Sequence, residues 1–137
     1  MKNIKYIGCF FDYETVYQKA RETEENRLYR CIKHPHVTFE YRPQYVPYEL
    51  FGSEITVKVV GYGCDGENEA FLVEFEGLSG EICELAASIK IPHITLSVSK
   101  HGQSVNSYKL EFEPITPFTL TGIFGGMDEE GEVHFSA

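Results

Sequence analysis

Positive charge is scarce in this sequence: 12 lysines and arginines stand against 21 aspartates and glutamates, a formal net charge of −9. Affinity for a long nucleic acid comes mainly from neutralising phosphates with Lys and Arg. The balance therefore excludes a domain that wraps extended DNA or RNA, and leaves a short polyanion, or one phosphate, as the expected partner. Long apolar runs are missing too. None approaches a membrane span, and Met1-Lys2-Asn3 leads into a strand-like segment rather than a signal peptide, so no membrane partner and a cytoplasmic location are expected. Cys9, Cys31, Cys64 and Cys83 are scattered without a C-x-x-C pair. That argues against a zinc site or disulfide frame, and for reduced, mostly buried thiols. No linker or low-complexity tract divides the chain, so residues 1–137 read as a single domain with one core.

What is present is amphipathic pattern. Residues 4–11 are continuously apolar, as in a buried strand. Asp12 can cap a following helix on which Tyr13, Val16, Tyr17 and Ala20 form one stripe. The charged residues 21–30 extend that helix as a solvated surface until Pro35 ends it. Strands are expected at 36–41, 54–60, 70–75, 93–98 and 118–124, with a turn-rich connection at 61–67 and Asp65-Gly66 as its hairpin signal. Ser79 can cap a second helix carrying Ile82, Leu85, Ala86 and Ile89, and Pro92 stops it. The acidic run 128–130 reads as a solvated turn and His134 as a surface residue. Two helices and six or seven mostly hairpin-linked strands predict an α+β fold.

Twice the chain runs amphipathic helix, proline, then His-apolar-Thr-apolar: Pro35-His36-Val37-Thr38-Phe39 and Pro92-His93-Ile94-Thr95-Leu96. Side chains at i and i+2 of a strand share a face, so each imidazole projects beside a hydroxyl while the apolar pair faces the core. If the two halves face one another, both pairs converge on one cleft. Two opposed imidazoles suit displacement at phosphorus: one removes a proton from the attacking oxygen, the other protonates the leaving oxygen. Threonine hydroxyls supply hydrogen bonds to the non-bridging oxygens.

The duplicated His-x-Thr pattern resembles the 2H phosphoesterase superfamily. Within it, the stretch from Pro92 through Gln103-Ser104-Val105-Asn106-Ser107 is similar to the cyclic phosphodiesterase domain of fungal-type tRNA ligases. The resemblance implies a bilobal, pseudo-two-fold fold of two antiparallel sheets lining a central cleft, with helices outside. It implies metal-independent hydrolysis of a 2′,3′-cyclic phosphate to a 2′-phosphate, with no cofactor. The substrate would be a small cyclic nucleotide or an RNA end bearing that group. His36 and His93 would then be the acid/base pair and Thr38 and Thr95 the phosphate-binding hydroxyls, with His93 as base and His36 as acid by family analogy. Some relatives act instead on 2′–5′ linkages or on ADP-ribose cyclic phosphate, and a nucleotide-binding module without catalysis is a further alternative. The chain departs from the pattern in being short between the motifs.

Around these pairs, Lys100 and His101 follow the second motif and Arg42 follows the first strand, where cations can meet a substrate phosphate. Phe11 and Tyr45, with Tyr41 and Tyr48, are candidates for stacking on a base. His34, His36 and His93 are not read as a zinc set, because no cysteine or carboxylate stands at usable spacing and threonine is a poor zinc ligand.

Overall fold

The computed structural model describes residues 3–23, 30–100 and 103–136. Strand β1 (Ile4–Phe10) leads into helix α1 (Tyr13–Glu22), whose N-terminus is closed by Asp12: its Oδ2 accepts the Thr15 N–H at 3.0 Å. Val16, Tyr17 and Ala20 are its buried face, as the spacing predicts, but Tyr13, the first residue of the expected stripe, is exposed at the helix start. The helix ends at Glu22 rather than running on through the charged stretch. Residues 24–29 lie outside the described residues, and Arg30–Cys31 already form a short strand, β2.

The remaining strands are β3 (His36–Tyr41), β4 (Glu54–Cys64), β5 (Asn68–Glu76), β6 (His93–Val98), β7 (Glu113–Asp128) and β8 (Val133–His134). Helix α2 spans Gly80–Ala87, and single 3-10 turns cover Tyr48–Leu50 and Ser104–Lys109. β4 is longer than the expected 54–60. Gly61 and Gly63, read as turn residues, are in-strand positions where the chain at 110–113 packs close: a Cβ on Gly63 would stand 3.0 Å from the Glu111 carbonyl. The connection shrinks to residues 65–67, where Asp65 Oδ1 accepts the Glu67 and Asn68 N–H groups at 2.9 and 2.8 Å. Ser79 occupies the cap position of α2, but its side chain makes no capping bond.

The result is an α+β protein built on one antiparallel sheet in the order β2-β6-β5-β4-β7-β1-β3, with β8 beside β7. The two sheets expected from the sequence are thus joined, because β4 and β7 pair along most of β4. On either side of that junction the same unit recurs. A strand pairs with the central one, a helix follows it, and a later strand returns on its outer side: β1-α1-β3 on β7, with the short β2 between α1 and β3, and β5-α2-β6 on β4. The match extends to single residues. Phe10 pairs with His36 and Leu72 with His93; Gly8 pairs with Thr38 and Ala70 with Thr95. Each outer pair carries a register shift next to the threonine, Ile7/Gly8 against Thr38–Glu40 and Glu69/Ala70 against Thr95–Ser97.

The sheet curls until its ends meet. β2, which follows α1 in one unit, pairs with β6 of the other, and five residues later the chain enters β3, which comes close to β6. Tyr17 fastens this crossing. Its ring is fully buried, and its hydroxyl donates to the Leu96 carbonyl while accepting the Ile32 N–H at 2.8 Å. The core lies on the face opposite the His-x-Thr side chains, where Val37, Phe39, Ile94 and Leu96 meet Ile55, Val57, Phe71, Phe124 and α1.

Three smaller expectations are corrected. Only Cys9 is buried; Cys31 and Cys83 are exposed, and Cys64, at the end of β4, is half-buried against the edge of the core. Asp128 is buried, not part of a solvated turn: Oδ1 accepts the Glu130 and Glu132 N–H groups, and Oδ2 stands 2.7 Å from His134 Nε2. His134 is accordingly a half-buried partner of that carboxylate, which it holds down at about 2. Among the described residues no helix is long and apolar enough to cross a membrane.

If the Tyr17 hydroxyl holds the two sheet ends together, Tyr17→Phe removes its bonds to the Ile32 N–H and the Leu96 carbonyl and leaves only their direct 3.2 Å bond to one another across the crossing. Equilibrium urea unfolding is expected to show a loss of about 0.5–1.5 kcal/mol. A midpoint unchanged from wild type would remove Tyr17 from this role.

Candidate active site

Local geometry aims both imidazoles the same way. A proline immediately precedes each histidine, so the residue before it, His34 or Ile91, is held extended. Its carbonyl then meets the imidazole two residues on: His36 Nδ1 lies 2.7 Å from the His34 carbonyl and His93 Nδ1 lies 2.8 Å from that of Ile91. A carbonyl only accepts, so each Nδ1 carries the proton and each Nε2 is left with its lone pair. Each proline carbonyl in turn accepts a bond from the inner strand, Phe11 N–H to Pro35 at 2.9 Å and Val73 N–H to Pro92 at 3.0 Å.

These side chains open onto one cavity of about 670 Å³, lined by Lys5, Tyr6, Ile32, His36, Thr38, Tyr41, His93 and Thr95. The two His-x-Thr pairs, one from each end of the sheet, therefore share one concave surface. Thr38 is exposed, and its hydroxyl has no hydrogen bond among the described residues. Thr95 is held from behind: its hydroxyl donates to Ser107 Oγ at 2.9 Å, and Ser107, fully buried, also accepts from Asn68 Nδ2 at 3.1 Å. Deeper on β6, Ser97 donates to the buried Glu69 at 2.7 Å, which also accepts from the Tyr62 hydroxyl.

The two imidazoles differ in their surroundings. The Tyr6 ring stacks on His36 with centroids 4.7 Å apart, and Phe10 lies at 5.3 Å. Burial among these rings, with His93 nearby, pushes His36 down from 6.5 to about 4. Burial lowers His93 as well. Both are neutral near pH 7 in the free protein. Tyr6 itself is pushed up to about 12 by burial, so its phenol remains a donor.

Of the other residues singled out from the sequence, Tyr41 lines this cavity and the rest do not join it. Phe11 is packed in the core and lines a separate hollow of about 690 Å³ on the far side of Phe10. Arg42, at a positive φ of 50°, lies over Tyr41 and pairs with Glu129 through both guanidinium nitrogens. Tyr45 is exposed and donates to Glu49, Lys100 is exposed away from the cavity lining, and His101 lies outside the described residues. In their place the cavity holds Lys5, Tyr6 and Ile32, which the sequence reading missed. Lys5 and Tyr6 are neighbours, and strict alternation would send them to opposite faces. A register shift between Ile4 and Tyr6 against β7 inserts Lys5 as an extra residue and turns both inward. A bulge carries no mark in a single sequence. No protein-family model matches this sequence, and no curated protein sequence matches it.

His36 has its pKa lowered on folding, so the unfolded chain binds more protons between about pH 4 and 6.5. The stability that depends on its neutral form is complete above about pH 6.5 and is lost as pH falls toward 4, with His93 adding in the same direction. Urea unfolding at pH 7 and pH 4.5 is expected to show that loss, and His36→Asn to flatten it. Imidazole proton shifts followed by NMR should place His36 below His93. The opposite order would refute the environments described above.

Proposed function

We propose that the protein is a metal-independent 2′,3′-cyclic nucleotide phosphodiesterase of the 2H type, hydrolysing the cyclic phosphate to a 2′-phosphate. The observation that carries this reading is the convergence of two His-x-Thr pairs on one cavity, from strands in matching positions of two like units. The paired units also support the bilobal, pseudo-two-fold form that the motif resemblance implies, with the sheet continuous at its centre.

In this mechanism the phosphate lies between the two Nε2 atoms, with the Thr38 and Thr95 hydroxyls on its non-bridging oxygens. One imidazole takes a proton from water as its oxygen bonds to phosphorus. The bond from phosphorus to the 3′-oxygen breaks, and the other imidazole, protonated beforehand, gives its proton to that oxygen. One water is consumed; proton exchange with solvent restores both rings. The bound anion raises the pKa of an imidazole beside it, which allows one ring to carry the required proton near neutral pH. Thr38 is free to donate at once. Thr95 becomes free when Ser107, whose oxygen already accepts from Asn68, turns its own proton toward Thr95.

The surroundings favour an order of roles opposite to the one implied by family analogy. His36, stacked on Tyr6 with Phe10 beside it, is harder to protonate and suits the base. His93 has no such aromatic cover among the described residues and suits the acid.

Changing either His36 or His93 to alanine is expected to lower kcat by about 10²–10⁴, while excess EDTA leaves wild-type turnover intact. With sulfur in place of the leaving 3′-oxygen, departure needs no proton; His93→Ala should recover most of its loss on that substrate and His36→Ala should not. If both alanine variants turned over every cyclic phosphate at near wild-type rates, the catalytic assignment would fall. Recovery by His36→Ala alone would reverse the roles.

A further inference from the structure

We infer that the cavity selects substrates bearing a second phosphate, one nucleotide unit away from the cyclic one, and that Lys5 is the specificity residue that binds it. This rests on the cyclic phosphodiesterase reading of the same site. The cavity has two chemically distinct ends. At one, His36, His93, Thr38 and Thr95 supply neutral imidazoles and hydroxyls, sufficient for one phosphate. Toward the other stand Lys5, the only cationic side chain in the cavity lining, and Tyr41, with its cross-strand partner Tyr6 lying between them and His36, on which the Tyr6 ring stacks.

Lys5 is placed there by construction. The bulge that inserts it in β1 turns it toward the cavity, and the Arg42 N–H fixes its carbonyl at 2.7 Å. The acidic side chain that acts on it, Glu129, is occupied by Arg42, which takes both carboxylate oxygens. Lys5 itself forms no ion pair among the described residues. A half-buried ammonium beside a cleft, in a chain of net charge −9, is an unusual local reversal of sign. Along β1, Lys5 stands three residues from Gly8, the partner of Thr38, about 10 Å at strand rise. One nucleotide unit together with an extended lysine stem fills that gap, with the sugar or base against Tyr6 and Tyr41. The substrate class is therefore a 5′-phosphorylated nucleoside 2′,3′-cyclic phosphate or the last nucleotide of a short RNA, rather than a nucleoside cyclic phosphate with a free 5′-hydroxyl.

The test compares nucleoside 2′,3′-cyclic phosphates with and without a 5′-phosphate. Wild type is expected to favour the 5′-phosphorylated form by about tenfold in kcat/KM, chiefly through KM. Lys5→Met should bring that ratio close to one, and Lys5→Arg should keep most of it, with thermal unfolding confirming that both variants fold. Calorimetric titration with nucleoside 2′-phosphates, with and without the 5′-phosphate, reads the same preference without turnover. Hydrolysis of neither substrate, alongside a Lys5-dependent binding preference, would overturn the catalytic reading and support the second phosphate site. Equal rates and equal binding for the two forms, a preference that survives Lys5→Met, or no binding of either form would overturn the inference.

Discussion

Everything at the cleft depends on the two ends of one sheet being held against each other. An antiparallel sheet with strand order β2-β6-β5-β4-β7-β1-β3 would leave His93 and His36 near opposite ends if it lay open. Strand twist brings the ends round, but it does not fix how far. That is done by the chain between α1 and β3, which pairs with β6 at Arg30–Cys31 and then turns back at Pro35 into the other end. Tyr17 satisfies a donor on this crossing and an acceptor on β6 with a single hydroxyl. The cleft is thus closed by backbone pairing and one buried phenol rather than by contacts between the histidine and threonine side chains that line it.

Repetition of the unit has a chemical consequence. Two copies of one strand-helix-strand unit place two copies of the same environment on either side of a shared site: the same proline carbonyl bond, the same Nδ1 partner and the same bulge beside the threonine. The acid and base roles proposed for the two rings nevertheless require them to behave differently. The asymmetry comes from the residues around the repeated frame. Tyr6 and Phe10 cover His36, while Asn68, Ser107 and Gln103 build a polar support behind Thr95, with Asn68 Nδ2 donating to both Ser107 and the Gln103 carbonyl. Gly8 marks another break in the symmetry: a Cβ there would lie 2.3 Å from the Val37 carbonyl, whereas its counterpart Ala70 carries one.

The features legible in the sequence are those governed by local chemistry. Asp12 as a cap, the stripe Val16-Tyr17-Ala20, and the two-residue period that sets His36 and Thr38 against Val37 and Phe39 follow from spacing alone. What was not legible depends on how distant segments meet. Gly61 and Gly63 look like turn residues, yet they serve a close approach by residues 110–113. Asp128 and His134 look like surface groups until β8 folds back on β7 and pairs them. Arg42 stands beside the first motif in sequence but is drawn off to Glu129, while Lys5, far from either motif, is delivered by a bulge. Proximity in sequence to a motif is a poor guide to which cations reach the site.

The prolines connect the sequence motif to the protonation state. A proline before each histidine removes one N–H from the ladder and holds the residue before it extended. The carbonyl thus released points to Nδ1 rather than to a neighbouring strand. This fixes the tautomer in both copies without a carboxylate partner, and the distinction matters. A carboxylate at Nδ1 would raise the imidazole pKa and favour the charged ring; a neutral carbonyl orients the ring with a weaker effect on its charge. Burial then keeps both rings neutral until an anion arrives. On the proposed reading such a site is charged by its ligand: the phosphate to be cleaved would itself create the imidazolium that protonates the leaving oxygen.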